Sequence, residues 1–265
     1  MNRYLLTLLI LLGIGQLAVA AEPGYDRNSG QDRAAGTEAP TDADTLRYLR
    51  RLSGGRPLGE PQATPVPGVR QIRLGADTLY ISEDGRYAFV GNLLDLKEGR
   101  NLTEEVKAGI VREMLDAFGD ANKVIFPATG KQLAVIDVFT DTSCPYCHKL
   151  HTEVPQLQAA GVTVRYLPYP RGGKRGPGYQ GLRQVWCAAD PLQAMDDATH
   201  GRAIKDEATC ARADQVDHGF SLGEKLGVRG TPTIYLQDGS QVGGYVPAAK
   251  LLPMLGIAPD RRSGS

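Results

Sequence analysis

Residues Cys144, Pro145, Tyr146 and Cys147 place two thiols three positions apart, directly after an apolar run at 133–140. At that spacing both thiols lie on one face of a helix and within disulfide reach. The first can attack a disulfide, and the second can resolve the mixed disulfide that forms. A strand feeding a helix at Pro145 sets Cys144 against unpaired N–H groups and the positive end of the helix dipole, both of which favour thiolate over thiol. Cys144 is therefore the candidate nucleophile and Cys147 the candidate resolving thiol, with Pro145 and Tyr146 tuning the pair. The rival chemistry for Cys-x-x-Cys is half of a zinc site, which wants a second such pair or closely spaced histidines. His148 and His151 stand beside the motif but run along the same short helix. Four ligands converging there would strain it, so no metal is implied, and no organic cofactor either.

The compartment bears on the other two cysteines. The first twenty residues carry Arg3, an apolar run at 5–12, then Ala18, Val19 and Ala20 ahead of Ala21. That is the charged start, short greasy core and small-residue cleavage site of a signal peptide. The core is too short for a membrane span and is broken by Gly13, Gly15 and Gln16. No cysteine follows it, which argues against lipoprotein processing. In an exported, oxidising setting Cys187 and Cys210, which have no Cys-x-x-Cys partner, read as a structural disulfide.

Removing 1–20 leaves 29 basic against 30 acidic side chains, a formal charge of −1. Neither a nucleic-acid surface nor an anionic-membrane surface is implied. The remaining 245 residues exceed one small domain, which favours two domains or one domain with a large insertion.

The elements that position the dithiol can be read in order. Residues 21–40 have no periodic apolar pattern and read as a flexible leader. Asp44 could cap a short helix striped by Leu46, Leu49 and Leu52 and ended by Ser53, Gly54 and Gly55. Runs at 69–74, 78–82 and 87–94 are separated by turn signals and predict a small antiparallel sheet. Helix and sheet together make a domain at 41–98 so small that it is marginal unless it dimerises or docks. A capping-box-like start at Asn101 and apolar residues Val106, Ile110, Met114 and Phe118 predict a linker helix within 99–122. A strand at 133–140, a helix at 145–157 and a strand at 162–169 then form a β-α-β unit. A mainly helical insertion spans about 171–217 and opens on a basic, glycine-rich loop read as solvated. A helix at 219–226, a hairpin of 233–236 with 241–245, and a helix at 248–255 complete a domain at 123–258.

Several residues carry a bland reading beside a functional one. Asp137, inside the apolar strand, could accept a proton during exchange, but an unpaired buried charge is costly, so a polar neighbour is favoured. Asp141 and Thr142 read as shaping the turn into the helix. His148 could favour thiolate, although an exposed helix face explains it equally well. Trp186 reads as core packing beside Cys187.

Gly230, Thr231, Pro232 and Thr233 lie well downstream, just before a predicted strand. A proline opening a strand is bland alone. Together with the β-α-β unit, its dithiol turn, the following hairpin and the last helix, it resembles the thioredoxin fold. That resemblance implies that Pro232 is cis and lies against the reactive sulfur, with Thr231 and Pro232 binding substrate. The likeness extends to the periplasmic disulfide isomerases of the DsbC and DsbG family, and is closer to the DsbC branch. It is carried by 80–85, 138–141, 147–151, 164–167, 185–188 and 226–232. The Pro-Tyr dipeptide between the thiols resembles the DsbG branch instead, and the leader is longer than usual.

The resemblance implies an α+β chain: a small amino-terminal dimerisation domain, a linker helix and a thioredoxin-like domain with a helical insertion. It also implies a Cys187–Cys210 disulfide and a homodimer enclosing an apolar cleft for misoxidised or unfolded exported proteins. Electrons would come from a membrane reductase of the DsbD type, with the protein in the periplasm. The expected activity is disulfide isomerisation and reduction, with chaperone-like client binding. A net dithiol oxidase and a holdase whose dithiol is secondary are the alternatives.

Overall fold

The computed structural model describes residues 42–205 and 207–258. The signal-peptide and leader readings at 1–20 and 21–40 lie outside those residues.

The chain enters through α1 (Asp42–Leu52). Asp44, expected as its cap, sits inside the helix and pairs with Arg47. Leu49 packs with Ile72, Leu79 and Ile81, with Leu46 half-buried against them. Gly54 and Gly55 then carry the chain out at positive φ, a region glycine enters without Cβ strain. Strands β1 (Gln62–Ala63), β2 (Val69–Leu74), β3 (Asp77–Ser82) and β4 (Ala88–Phe89) form an antiparallel sheet in that order. The single strand expected at 87–94 is two short pieces, because β4 stops before Gly91 and Asn92, residues that pack poorly in a strand. The second piece, β5 (Leu94–Asp95), pairs instead with β6 (Arg100–Asn101). The linker helix, α2 (Leu102–Phe118), is capped by Asn101, whose side chain accepts the Glu104 N–H at 3.2 Å.

A five-stranded sheet follows in the order β11-β10-β8-β9-β7. Its strands are β7 (Val124–Phe126), β8 (Ala134–Thr140), β9 (Val162–Pro168), β10 (Thr233–Leu236) and β11 (Gln241–Gly243). Strands β8 and β9 are parallel and the other pairs antiparallel. The helix expected at 145–157 is divided into α3 (Pro145–Thr152) and α4 (Val154–Ala159). Pro155 explains the break, since it has no N–H for the helix ladder and its ring crowds the preceding turn. The insertion holds α5 (Tyr179–Cys187) and α6 (Pro191–Thr199); α7 (Gln215–Lys225) and α8 (Ala248–Met254) complete the domain. The architecture is α+β.

Every residue of β8 is buried because both faces of the sheet are covered. Side chains alternate between the faces. Ile136 and Val138 pack with Leu150, Leu157, Trp186 and Leu251, whereas Phe139 packs with Leu115 and Leu222. Helix α7 approaches so closely that a Cβ on Gly223 would lie 2.4 Å from the Tyr169 ring, so only glycine fits there.

Candidate active site

Strand β8 ends at Thr140, and the turn into α3 is built on Asp141. Its carboxylate accepts the Ser143 N–H at 2.8 Å and hydroxyl at 2.7 Å, and the Arg171 N–H at 2.8 Å and Nε at 3.2 Å. A Cβ on Gly178 would fall 1.8 Å from Asp141 Oδ1. Asp141 therefore shapes the turn, and the basic loop is not simply solvated: its first residue is drawn in to neutralise a fully buried carboxylate.

This turn leaves Cys144 at the cap of α3 with extended φ and ψ of −95° and 117°, and Pro145 at the first helical position. Proline is suited to that place, where its missing N–H is not needed. Cys144 Sγ lies 3.1 Å from the carbonyl oxygen of Thr231, and the Thr231–Pro232 peptide is cis. The dithiol turn and the proline loop thus form one site. The Cys147 thiol hydrogen-bonds to the Cys144 sulfur and stabilises its thiolate. Thr231 and the N–H groups of Cys147 and Tyr146 add to this, and together they hold Cys144 at about 5 against the opposing pull of burial. Burial, reinforced by the neighbouring Cys144 sulfur, pushes Cys147 far above the ordinary thiol range. One thiol is ionised at neutral pH and the other keeps its proton.

Pro145 and Tyr146 are exposed. The Tyr146 ring stacks on Tyr245 with centroids 6.2 Å apart, and Lys149 Nζ lies 4.8 Å over the Tyr245 ring. Tyr245 is tied down by a hydrogen bond from its hydroxyl to Glu153. It belongs to the site's surroundings, yet only long-range folding brings it there, and no local pattern marks it.

His148 Nε2 donates to the Thr142 carbonyl at 2.7 Å. His151 bonds Tyr166 and Asp196. The two imidazoles bond different partners, and among the described residues no group of three or more His, Cys, Asp or Glu could hold a metal. Asp137 is bound by Lys123 Nζ at 2.9 Å, with Arg112 at 3.4 Å. It points to the α2 side of the sheet, away from α3, and is a structural ion pair. Cys187 and Cys210 form a disulfide, and Trp186 beside it is wholly buried with Nε1 donating to the Asn122 carbonyl at 2.8 Å. A cleft of about 1050 Å³ has Arg73, Lys107 and Arg229 among its lining residues; neither Cys144 nor Cys147 lines it.

Comparison with known proteins agrees with this geometry. Residues 119–258 match the thioredoxin-like domain, and residues 36–104 match the disulfide bond isomerase protein N-terminal domain. The chain is 37% identical over 223 residues to the thiol:disulfide interchange protein DsbC of Dickeya dadantii, covering 83% of this chain and 89% of the relative. It is 37% identical over 230 residues to DsbC of Salmonella typhimurium, covering 87% and 93%. Against DsbC of Escherichia coli the identity is 34% over 205 residues, covering 77% and 83%. With a thioredoxin-like domain that carries the paired thiols and an amino-terminal domain of the isomerase type, the chain belongs to the DsbC family of thiol:disulfide interchange proteins.

Proposed function

We propose that this protein is a periplasmic disulfide isomerase and reductase, with Cys144 as nucleophile and Cys147 as resolving thiol. The observation that carries the reading is the opposed environment of the two sulfurs, one held as thiolate and the other kept protonated. The Cys144 thiolate attacks a non-native disulfide in a client and forms a mixed disulfide. A second client thiol then displaces Cys144 and shuffles the bond, or Cys147 displaces the client and reduces it. A low pKa at Cys144 stabilises the dithiol form, which is the form an isomerase must keep.

In this reading Thr231 and Pro232 receive the client backbone beside Cys144, Pro145 and Tyr146 tune the pair, and the Cys187–Cys210 disulfide stiffens the insertion at about 171–217. Residues 41–98 dimerise the protein, 99–122 link the domains, and 123–258 carry the chemistry. A dimer brings two dithiols to one client, which suits reshuffling and chaperone-like holding of unfolded exported chains. A membrane reductase of the DsbD type returns Cys144 and Cys147 to the dithiol. The low Cys144 pKa is also compatible with a net oxidase, so the resting state decides between them. Trapping free thiols in freshly isolated periplasmic protein should find the pair mainly reduced; a mainly oxidised pair sinks the isomerase reading. A Cys144→Ala variant that still reshuffles client disulfides would assign the activity elsewhere.

A further inference from the structure

Tyr146, between the two thiols, is 61% exposed, and it is not an isolated surface ring. Tyr146, Lys149 and Glu153 follow one another at spacings of three and four residues, so they run down one side of α3 to the start of α4. All three meet a single residue of the loop between β11 and α8. The Tyr146 ring stacks on Tyr245 with centroids 6.2 Å and planes 30° apart, Lys149 Nζ lies 4.8 Å over the Tyr245 ring, and the Tyr245 hydroxyl donates to Glu153. The same loop touches the cis-proline, since a Cβ on Gly244 would lie 3.7 Å from the Pro232 carbonyl oxygen. Tyr245 therefore joins the dithiol helix to the proline loop, the two elements that also meet at Cys144 Sγ and the Thr231 carbonyl, 3.1 Å apart.

Part of this cluster has a structural duty. The second Glu153 oxygen accepts the Ala248 N–H, so Glu153 holds the start of α8 as well as Tyr245. That duty does not account for Tyr146, whose ring makes no hydrogen bond in the cluster and stays mostly in water. The arrangement leaves two neighbouring rings at the edge of the site, one of them fixed by a hydrogen bond. A ring already held in place loses little freedom when another group packs on it. Aromatic rings favour further rings at centroid distances of about 4.5–7 Å, stacked or edge-on.

We propose that Tyr146 and Tyr245 form a platform that receives an aromatic side chain of the client close to the cysteine under attack. The two tyrosines are then specificity-determining residues, and client disulfides with aromatic neighbours react fastest. Reach supports this occupant. A client brings its cysteine sulfur onto Cys144, and residues one or two positions away lie within roughly 7 Å of that cysteine along the chain. Tyr146 is itself two residues from Cys144, so the same reach applies on the enzyme's side. The rival occupant is a carboxylate drawn to Lys149, but that ammonium already lies over the Tyr245 ring, where the ring face attracts it. Aromatic side chains are mostly buried in a correctly folded client and open in a misfolded one, so the platform directs Cys144 towards the disulfides that need reshuffling. The proposal rests on the assignment of Cys144, Thr231 and Pro232 above and adds to it a preference for one kind of side chain.

The test uses the full reduced chain and pentapeptides whose central cysteine is joined to thionitrobenzoate. The Cys144 thiolate attacks the peptide sulfur and a Cys144–peptide bond forms. The peptide–thionitrobenzoate bond breaks, and its electron pair leaves on the coloured thiolate, the better leaving group of the two. Each peptide carries one phenylalanine among alanines, at one of the four positions around the cysteine, and an all-alanine peptide is the reference. At the best position the second-order rate of colour release should exceed the reference by about two- to tenfold, the worth of one added aromatic contact. Tyr245→Ala should bring that ratio close to one. So should Tyr146→Ala, at an exposed position where folding is not in question. The ratio divides out whatever either change does to the reactivity of Cys144, and a tyrosine that only held the fold together would leave it where it was. A ratio near one at every position in the unaltered protein overturns the platform, as does a preference that either substitution leaves intact. A peptide with aspartate at the best position that outruns phenylalanine also overturns it, since Lys149 and not the rings would then be selecting. Absence of colour release from every peptide strikes instead at Cys144 as nucleophile.

Discussion

The Cys144 sulfur lies 3.1 Å from the carbonyl oxygen of Thr231, 87 residues further along the chain. This contact joins the carboxyl end of β8 to the loop before β10, so the sulfur sits beside the backbone expected to receive a client. Both strands are central and buried on two faces, which gives the contact a rigid foundation.

The first prediction concerns pH. Cys144 is held at about 5 against an ordinary thiol value of 9.0, chiefly by the Cys147 hydrogen bond. Alkylation of the reduced protein should rise through about pH 5 and be level from pH ~6 to ~8, where an ordinary thiol would still be climbing. The sign for stability follows from the depressed folded value. The thiolate's contribution to the reduced fold is complete above about 9, shrinks as pH falls, and is gone below about 5. The disulfide form has no such group. Acidification should therefore destabilise the reduced form relative to the oxidised one, as measured by paired urea denaturations.

The second prediction separates the roles of the two sulfurs. Because Cys147 is the main support of the Cys144 thiolate, Cys147→Ala should raise the Cys144 pKa by about 1 to 2 units, the worth of a hydrogen bond to a charged group. Thiolate absorbance against pH measures it. The same variant should accumulate mixed disulfides with clients on non-reducing gels, since escape through Cys147 is gone. An unshifted Cys144 would mean that Thr231 and the N–H groups at the start of α3 depress it without the Cys147 thiol.

The reach of the sequence follows the range of the interactions. The dithiol turn was legible because its signals are local: an apolar strand, then Pro145 where a helix can begin. The break between α3 and α4 was equally local in Pro155, but the apolar stripe through Leu150, Val154 and Leu157 masked it. Strand β7, with three residues, is too short to show periodicity. The Asp137–Lys123 pair, the Tyr146–Tyr245 stack and the Tyr166–His151–Asp196 bonds each join elements distant in sequence, so no spacing could announce them. His151 was visible only as a possible metal ligand, and its ring nitrogens bond Tyr166 and Asp196 instead.

The third prediction tests the buried pair. Lys123→Met leaves Asp137 buried with only the longer Arg112 contact, and removing one partner of a buried pair typically costs about 3–5 kcal/mol. Replacing both, as Lys123→Met with Asp137→Leu, should recover much of that loss because no unpaired charge remains. Chemical denaturation of the two variants measures the difference. Equal losses would mean the pair itself, and not the orphaned charge, carries the stability.

The fourth prediction concerns the insertion. The Cys187–Cys210 disulfide closes a separation of 23 residues. In the chain-entropy account a loop of that size contributes about 3 kcal/mol. Cys187→Ala with Cys210→Ala should shift the urea midpoint accordingly, while Cys144 alkylation in the folded protein keeps its pH profile. A changed profile would show that the insertion sets the electrostatics of the dithiol.

The last prediction is dimerisation through the small domain. Strand β4 lies at the edge of its sheet, and a free strand edge pairs readily with another chain. Residues before, on and after it are apolar and open to water: Tyr87 and Phe89, then Val90 at 87% and Leu96 at 88% exposure. A run of exposed apolar side chains beside an unpaired edge marks an association surface. Phe89→Asp with Val90→Asp places two charges there, and sedimentation should find that variant monomeric. Its Cys144 should still exchange with a small disulfide, because the site lies wholly within the thioredoxin-like domain, whereas reshuffling of a client with several disulfides should fall. If sedimentation finds the unaltered chain already monomeric, the dimeric cleft is wrong, and isomerisation must be explained by one dithiol acting alone.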